Sequence, residues 1–130
     1  MMKMPTLRWS DEQHQGLAKA LTLMKTWRFH AAHEEFEALW RGATSRERTC
    51  LHGLTQVAAS LHQLTLGRGA ASVRTWQRAR PKLEGLALDD FMTRMDALHQ
   101  VLGLRADAPR FFDPGTLREH ASPVIEAFVL

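Results

Sequence analysis

Across residues 11–102 apolar side chains return every three or four positions, segment after segment, and no sustained apolar/polar alternation interrupts that rhythm. A period near 3.6 lays one apolar stripe along a helix, whereas a half-buried strand needs a period of two. The pattern predicts an all-α fold: one domain over residues 1–130, a bundle of four to five helices, with an irregular tail over about 104–130 packed on it. A chain of 130 residues is long enough for one core and too short for two comfortable domains.

Local signals place the helices. Ser10 followed by Gln13 has the form of a capping box, opening a first helix with Leu17, Leu21 and Met24 on one side and an end near Thr26. A second helix carries Phe29, Ala32, His33, Phe36, Leu39 and Trp40 as its stripe and closes at Arg41-Gly42, where glycine can take the left-handed conformation. The third, from about Arg46 to Leu66, has Cys50, Leu54, Val57, Leu61 and Leu64 inward; Gly53 and Ser60 on its edge allow another helix close. A fourth, about 70–80 with Val73 and Trp76 inward, is ended or kinked by Pro81. Asp89 caps a fifth, with Phe91, Met95, Leu98 and Leu102 facing the core until Gly103. Beyond it Pro109, Pro114, Gly115 and Pro123 break the pattern, while Phe111, Phe112, Val124, Ile125 and Phe128 are apolar enough to pack on the bundle.

Composition excludes several classes. The hydrophobic fraction of 45% and charged fraction of 24% suit a globular chain rather than a disordered one. No apolar run approaches the roughly 20 residues of a spanning helix. Met1-Met2-Lys3-Met4-Pro5 leads into polar residues instead of a secretory signal, so cytoplasm is the expected location and no membrane partner is expected. The single Cys50 cannot form an internal disulfide or a thiolate cluster and reads as a packed thiol. A net charge of +3 permits anionic partners without requiring them.

The chemistry concentrates on the second helix. His33, Glu37 and Trp40 stand at i, i+4 and i+7, so ionisable groups share a face with large apolar ones. Burying an unpaired carboxylate or imidazole is costly, and these groups must meet partners, a metal or a ligand. Glu37 and His33 are the candidate catalytic pair and also the candidate metal ligands, since side chains one turn apart can share an ion. A centre needs further donors, for which His52, Gln56, His62 and His30 are available. His, Glu and amide oxygen donors suit manganese, iron or magnesium as well as zinc. The bland alternative is a buried network in which Glu37 accepts from His52 or Gln56 and only pins two helices together. On either reading a triangle of His33, Glu37 and Gln56 joins the second and third helices, and losing the Glu37 side chain costs about 1–2 kcal/mol of stability.

Ala32-His33-Glu34 with Glu37 and Trp40, followed by Gly53-Leu54-Thr55-Gln56-Val57-Ala58 with His62 and then Gly69-Ala70, resembles the family known as domain of unknown function 309, over about residues 20–85. The resemblance implies a small bacterial all-helical protein. Such proteins have sometimes been described as predicted metal-dependent hydrolases, and the resemblance singles out His33, Glu37, Trp40, Gln56 and His62 here. Thr55 stands where the family has an aliphatic residue, and the turn at 65–68 lacks the family's Asn.

Two functions follow. The first is a metal-dependent hydrolase or small-ligand-binding protein, with catalytic Glu37 and His33, ligand contacts from Gln56, His62, His52 and Trp40, and a divalent metal as candidate cofactor. The second is a non-catalytic interaction or nucleic-acid-binding module. Arg74, Arg78 and Lys82 recur every four residues in a stretch with no acid between Gly67 and Leu83, and such a stripe can follow phosphates. It lacks the interleaved aromatic residues of single-strand binders. A homo-oligomer is compatible with either.

Overall fold

The computed structural model describes residues 7–130, so the reading of Met1 to Pro5 lies outside the described residues. Those described form α1 (Asp11–Lys25), α2 (Phe29–Arg41), α3 (Ser45–Thr65), α4 (Gly69–Ala79), a 3₁₀ segment (Arg80–Leu83), α5 (Asp89–Val101) and α6 (Pro114–Glu126). The class is all-α, and no strand forms among the described residues. No helix among them is long and apolar enough to cross a membrane.

The longest helix, α3, is the hub. Its stripe of Cys50, Leu54, Val57, Leu61 and Leu64 is buried, and it packs on α2, α4, the 3₁₀ segment and α6. Gly53 permits the tightest of these approaches, because a Cβ there would stand 2.8 Å from the Cβ of Lys82. Ser60 makes the second, its hydroxyl donating to the carbonyl of Ser72 at 2.9 Å. Ring pairs fix the register of α2 on α3: Trp40 stacks on His52 and His30 meets His62 at a tilt, so one helix number rises as the other falls and the two run antiparallel.

The ends follow their local chemistry. Ser10 and Gln13 close the expected capping box on α1. At its other end Trp27 takes φ 62°, so the Arg28 amide reaches back to the Leu23 carbonyl at 2.8 Å, a closure usually left to glycine. Gly67 and Gly103 do the same for α3 and α5 with φ of 74° and 66°. Gly42 does not: its φ is −93°, and α2 ends without the left-handed residue expected there.

Four expectations need correction. Asp89 lies in the first turn of α5, and the cap position belongs to Leu88. The described residues hold six α-helices rather than four or five. About half of the expected irregular tail is α6, because Asp113 caps it by accepting from the Thr116 amide at 3.1 Å and Pro114 sits in the first turn, where the missing N–H costs nothing. Leu117, Ala121, Val124, Ile125 and Phe128 of this segment are buried. Lys25 finishes α6 by donating to the carbonyls of Ile125 and Glu126 at 2.7 and 2.8 Å. Phe111 does not pack, being 89% exposed.

Candidate functional site

The antiparallel packing of α2 on α3 lays a polar and aromatic strip along their seam. Phe29, Ala32 and Phe36 supply the buried side of α2, and its rotation leaves His33, Glu37 and Trp40 half-buried at the edge. His33 Nε2 stands 3.6 Å from Glu37 Oε2. The other carboxylate oxygen of Glu37 accepts from Arg41 at 2.5 Å. The His33 ring lies nearly parallel to His30 at 6.0 Å, and His30 lies 5.2 Å from His62 of α3. Further along, Trp40 stacks on His52 at 4.5 Å with 10° between the planes, and Arg48 sits over the same indole at 5.2 Å.

Electrostatics favour neutral rings on the α3 side. Burial lowers the pKa of His52, helped by Lys82 and Arg48. Burial lowers that of His62 too, with His30, His33 and Arg68 adding to it. Neutral imidazoles present one donor and one acceptor each, the form suited to hydrogen-bonding a ligand.

Gln56 departs from expectation. Its amide oxygen accepts from Lys82 Nζ at 2.7 Å, so it ties α3 to the 3₁₀ segment, and the triangle of His33, Glu37 and Gln56 does not form. The ammonium of Lys82 is a charged donor to that oxygen, and Gly53 brings it within reach. Glu37→Ala should then cost no more than about 0.5 kcal/mol, the scale of an exposed pair one turn apart. Combined with Gln56→Ala it should be additive within about 0.5 kcal/mol, which urea titration of the single and double variants measures.

The residues present do not fit a metal centre. Among the described residues no three His, Cys, Asp or Glu side chains come together as a group able to hold an ion. Glu37 is also engaged by a guanidinium, whose charge opposes a cation at that carboxylate. Cys50 is buried, and burial pushes its thiol pKa up, against any role as nucleophile.

Residues 17–75 match the model of the family described as Domain of unknown function (DUF309). The chain resembles that family. The matched span runs from α1 into α4 and contains the whole α2/α3 seam, while stopping short of the 3₁₀ segment that holds Gln56 through Lys82. No curated protein and no solved structure matches the chain.

Sequence reasoning passed over a buried chain on the far side of α3. Ser60 and Ser72 hydroxyls stand 2.9 Å apart, and Ser72 meets His99 Nε2 at 2.9 Å, joining α3, α4 and α5. The signal was present: His99 follows Met95 by four residues, on the inward stripe of α5. Beside it Asp96 accepts from Trp76 Nε1 at 2.7 Å and pairs with Arg80 at 3.0 Å, which offsets the charge of that arginine. Arg74 donates to the Ala106 carbonyl at 2.6 Å.

Proposed function

We propose that the protein binds a small polar ligand at the α2/α3 seam, with His33 and Glu37 as the groups that meet it and Trp40, His52 and His62 at its border. One observation supports this above the others: Nε2 of His33 and Oε2 of Glu37 face each other across 3.6 Å. That distance is too long for a hydrogen bond, and the side chains are 29% and 28% exposed. A hydroxyl or amide reaching the pair from solvent would satisfy both groups at once. An imidazole backed by a carboxylate can also take a ligand proton as a general base. In the hydrolytic version of this reading His33 takes the proton and Glu37 stabilises the imidazolium, without a metal.

A fragment screen by ligand-observed NMR tests it. Hydroxyl- or amide-bearing fragments should bind the wild type and lose most of their signal with Glu37→Gln or His33→Ala, at unchanged urea midpoints. If every fragment that binds is indifferent to both substitutions, the seam is structural and the reading fails.

A further inference from the structure

A second site lies at the start of α4, distinct from the His33 pair although its Arg68 also acts on His62 at the edge of the seam. The α3–α4 turn and the α5–α6 connection border an open cavity of about 560 Å³, lined among others by Arg68, Arg74, Arg110 and Phe111. Three arginines therefore border one space. Among the described residues none of the three forms an ion pair with a carboxylate, although the chain carries 14 acidic residues and uses them to pair Arg41, Arg80, Arg94 and Arg105. Like charges gathered without counter-charge repel each other, and an anion relieves that repulsion. Two of the guanidiniums are held in place. Arg74 is fixed by the Ala106 carbonyl, and Arg110 lies against Gly103, where a Cβ would come within 2.8 Å of its guanidinium carbon. Planar forks held this way match phosphate oxygens.

Phe111 gives the ligand its second feature. It lines the same cavity yet is 89% exposed, so its ring covers no part of the core and offers a free face beside the arginines. The basic stripe of α4 lacks an aromatic partner in its own sequence, and the fold supplies one from the α5–α6 connection. We propose that this cavity binds a nucleotide, with its phosphate on Arg68, Arg74 and Arg110 and its base on Phe111. The cavity and the unpaired arginines carry the assignment; the first amides of α4, which open on the same space with no side-chain cap, add to it. Free nucleotides and single strands share this chemistry. Arg78, one turn beyond Arg74 and exposed, would meet the next phosphate of a strand.

Calorimetric titration with AMP, inorganic phosphate, adenosine and a short oligothymidylate tests the proposal. The wild type should bind AMP or the oligomer about tenfold more tightly than phosphate or adenosine, with affinity falling as salt rises. Phe111→Ala should weaken that binding by about tenfold while leaving the weak phosphate binding unchanged. The double variant Arg68→Gln/Arg110→Gln should remove binding of every phosphate-bearing probe. All three side chains are exposed, so urea midpoints should stay at the wild-type value and a loss of binding reports on the site. Tighter binding of the oligomer than of AMP assigns the site to a strand, and the reverse assigns it to free nucleotide. The proposal is overturned if neither binds, if binding ignores the arginine substitutions, or if Phe111→Ala leaves AMP and oligomer affinity unchanged. His33→Ala should leave these titrations as in the wild type, which separates them from the seam.

Discussion

Acidification from pH 7 to pH 4 should cost this fold about 3 kcal/mol through His99 alone. Its imidazole is 5% exposed, and burial lowers its pKa from 6.5 to about 4, partly opposed by Asp96. The unfolded chain takes a proton on this ring near pH 6.5, and the folded chain resists until about pH 4. Between those values the unfolded state binds more protons, so stability is full above 6.5 and drains away as pH falls. Protonation also makes both ring nitrogens donors in a site where Nε2 already meets the Ser72 hydroxyl at 2.9 Å. Urea unfolding across this range should show about one extra proton taken up on unfolding. Because carboxylates titrate over the lower part of the same window, the comparison with His99→Asn isolates the effect. The variant's pH slope should be shallower by about that proton, and equal slopes would mean that His99 titrates as a solvated group.

What could be read before the structure was whatever depends on one segment. The Ser10 box, the α3 stripe and the inward Trp76 follow from periodicity and caps alone. Gly53 and Ser60 could even be read as a place for close approach, because a small residue on an apolar edge has few other uses. Partners across helices could not be read this way. Gln56 meets Lys82 because the 3₁₀ segment that contains Pro81 turns that lysine onto α3, and nothing in the spacing encodes the turn. His99 was hidden for a related reason: a histidine on an inward stripe is tolerable only if another helix supplies a hydroxyl, and Ser72 lies 27 residues away. The α6 error was local. Pro and Gly break a helix in mid-span, but Asp-Pro at a helix start is a cap followed by a favoured first-turn residue. At the seam the His33 and Glu37 pairing follows from their spacing on one helix, whereas the rings of α3 that meet α2, His62 beside His30 and His52 on Trp40, depend on how two helices pack.

Gly53→Val should destabilise the protein by about 3 kcal/mol, the upper range for forcing atoms into a filled interior. The added Cβ would meet the Cβ of Lys82 at 2.8 Å, a Leu83 methyl at 3.0 Å and the Ala79 carbonyl oxygen at 3.4 Å. The first of these is anchored to backbone and the third is backbone, so no rotamer change clears the space. Relief requires the 3₁₀ segment to move off α3, which strains the bond between Lys82 and Gln56 and loosens Leu83, itself fully buried. Better helix propensity than glycine returns only a fraction of a kcal/mol. Gly42→Ala is the control, since it changes the same residue type where the geometry is open. Its φ is −93°, which alanine adopts freely, and the new Cβ would meet only the Leu39 carbonyl oxygen at 3.9 Å. That variant should gain about 0.5 kcal/mol by stiffening the unfolded chain. Opposite signs in the two urea titrations would tie the loss at Gly53 to the α3 contact rather than to glycine replacement in general. A Gly53→Val protein as stable as the wild type would mean that α3 and the 3₁₀ segment stand further apart than described, and the placement of Lys82 on Gln56 would fall with it.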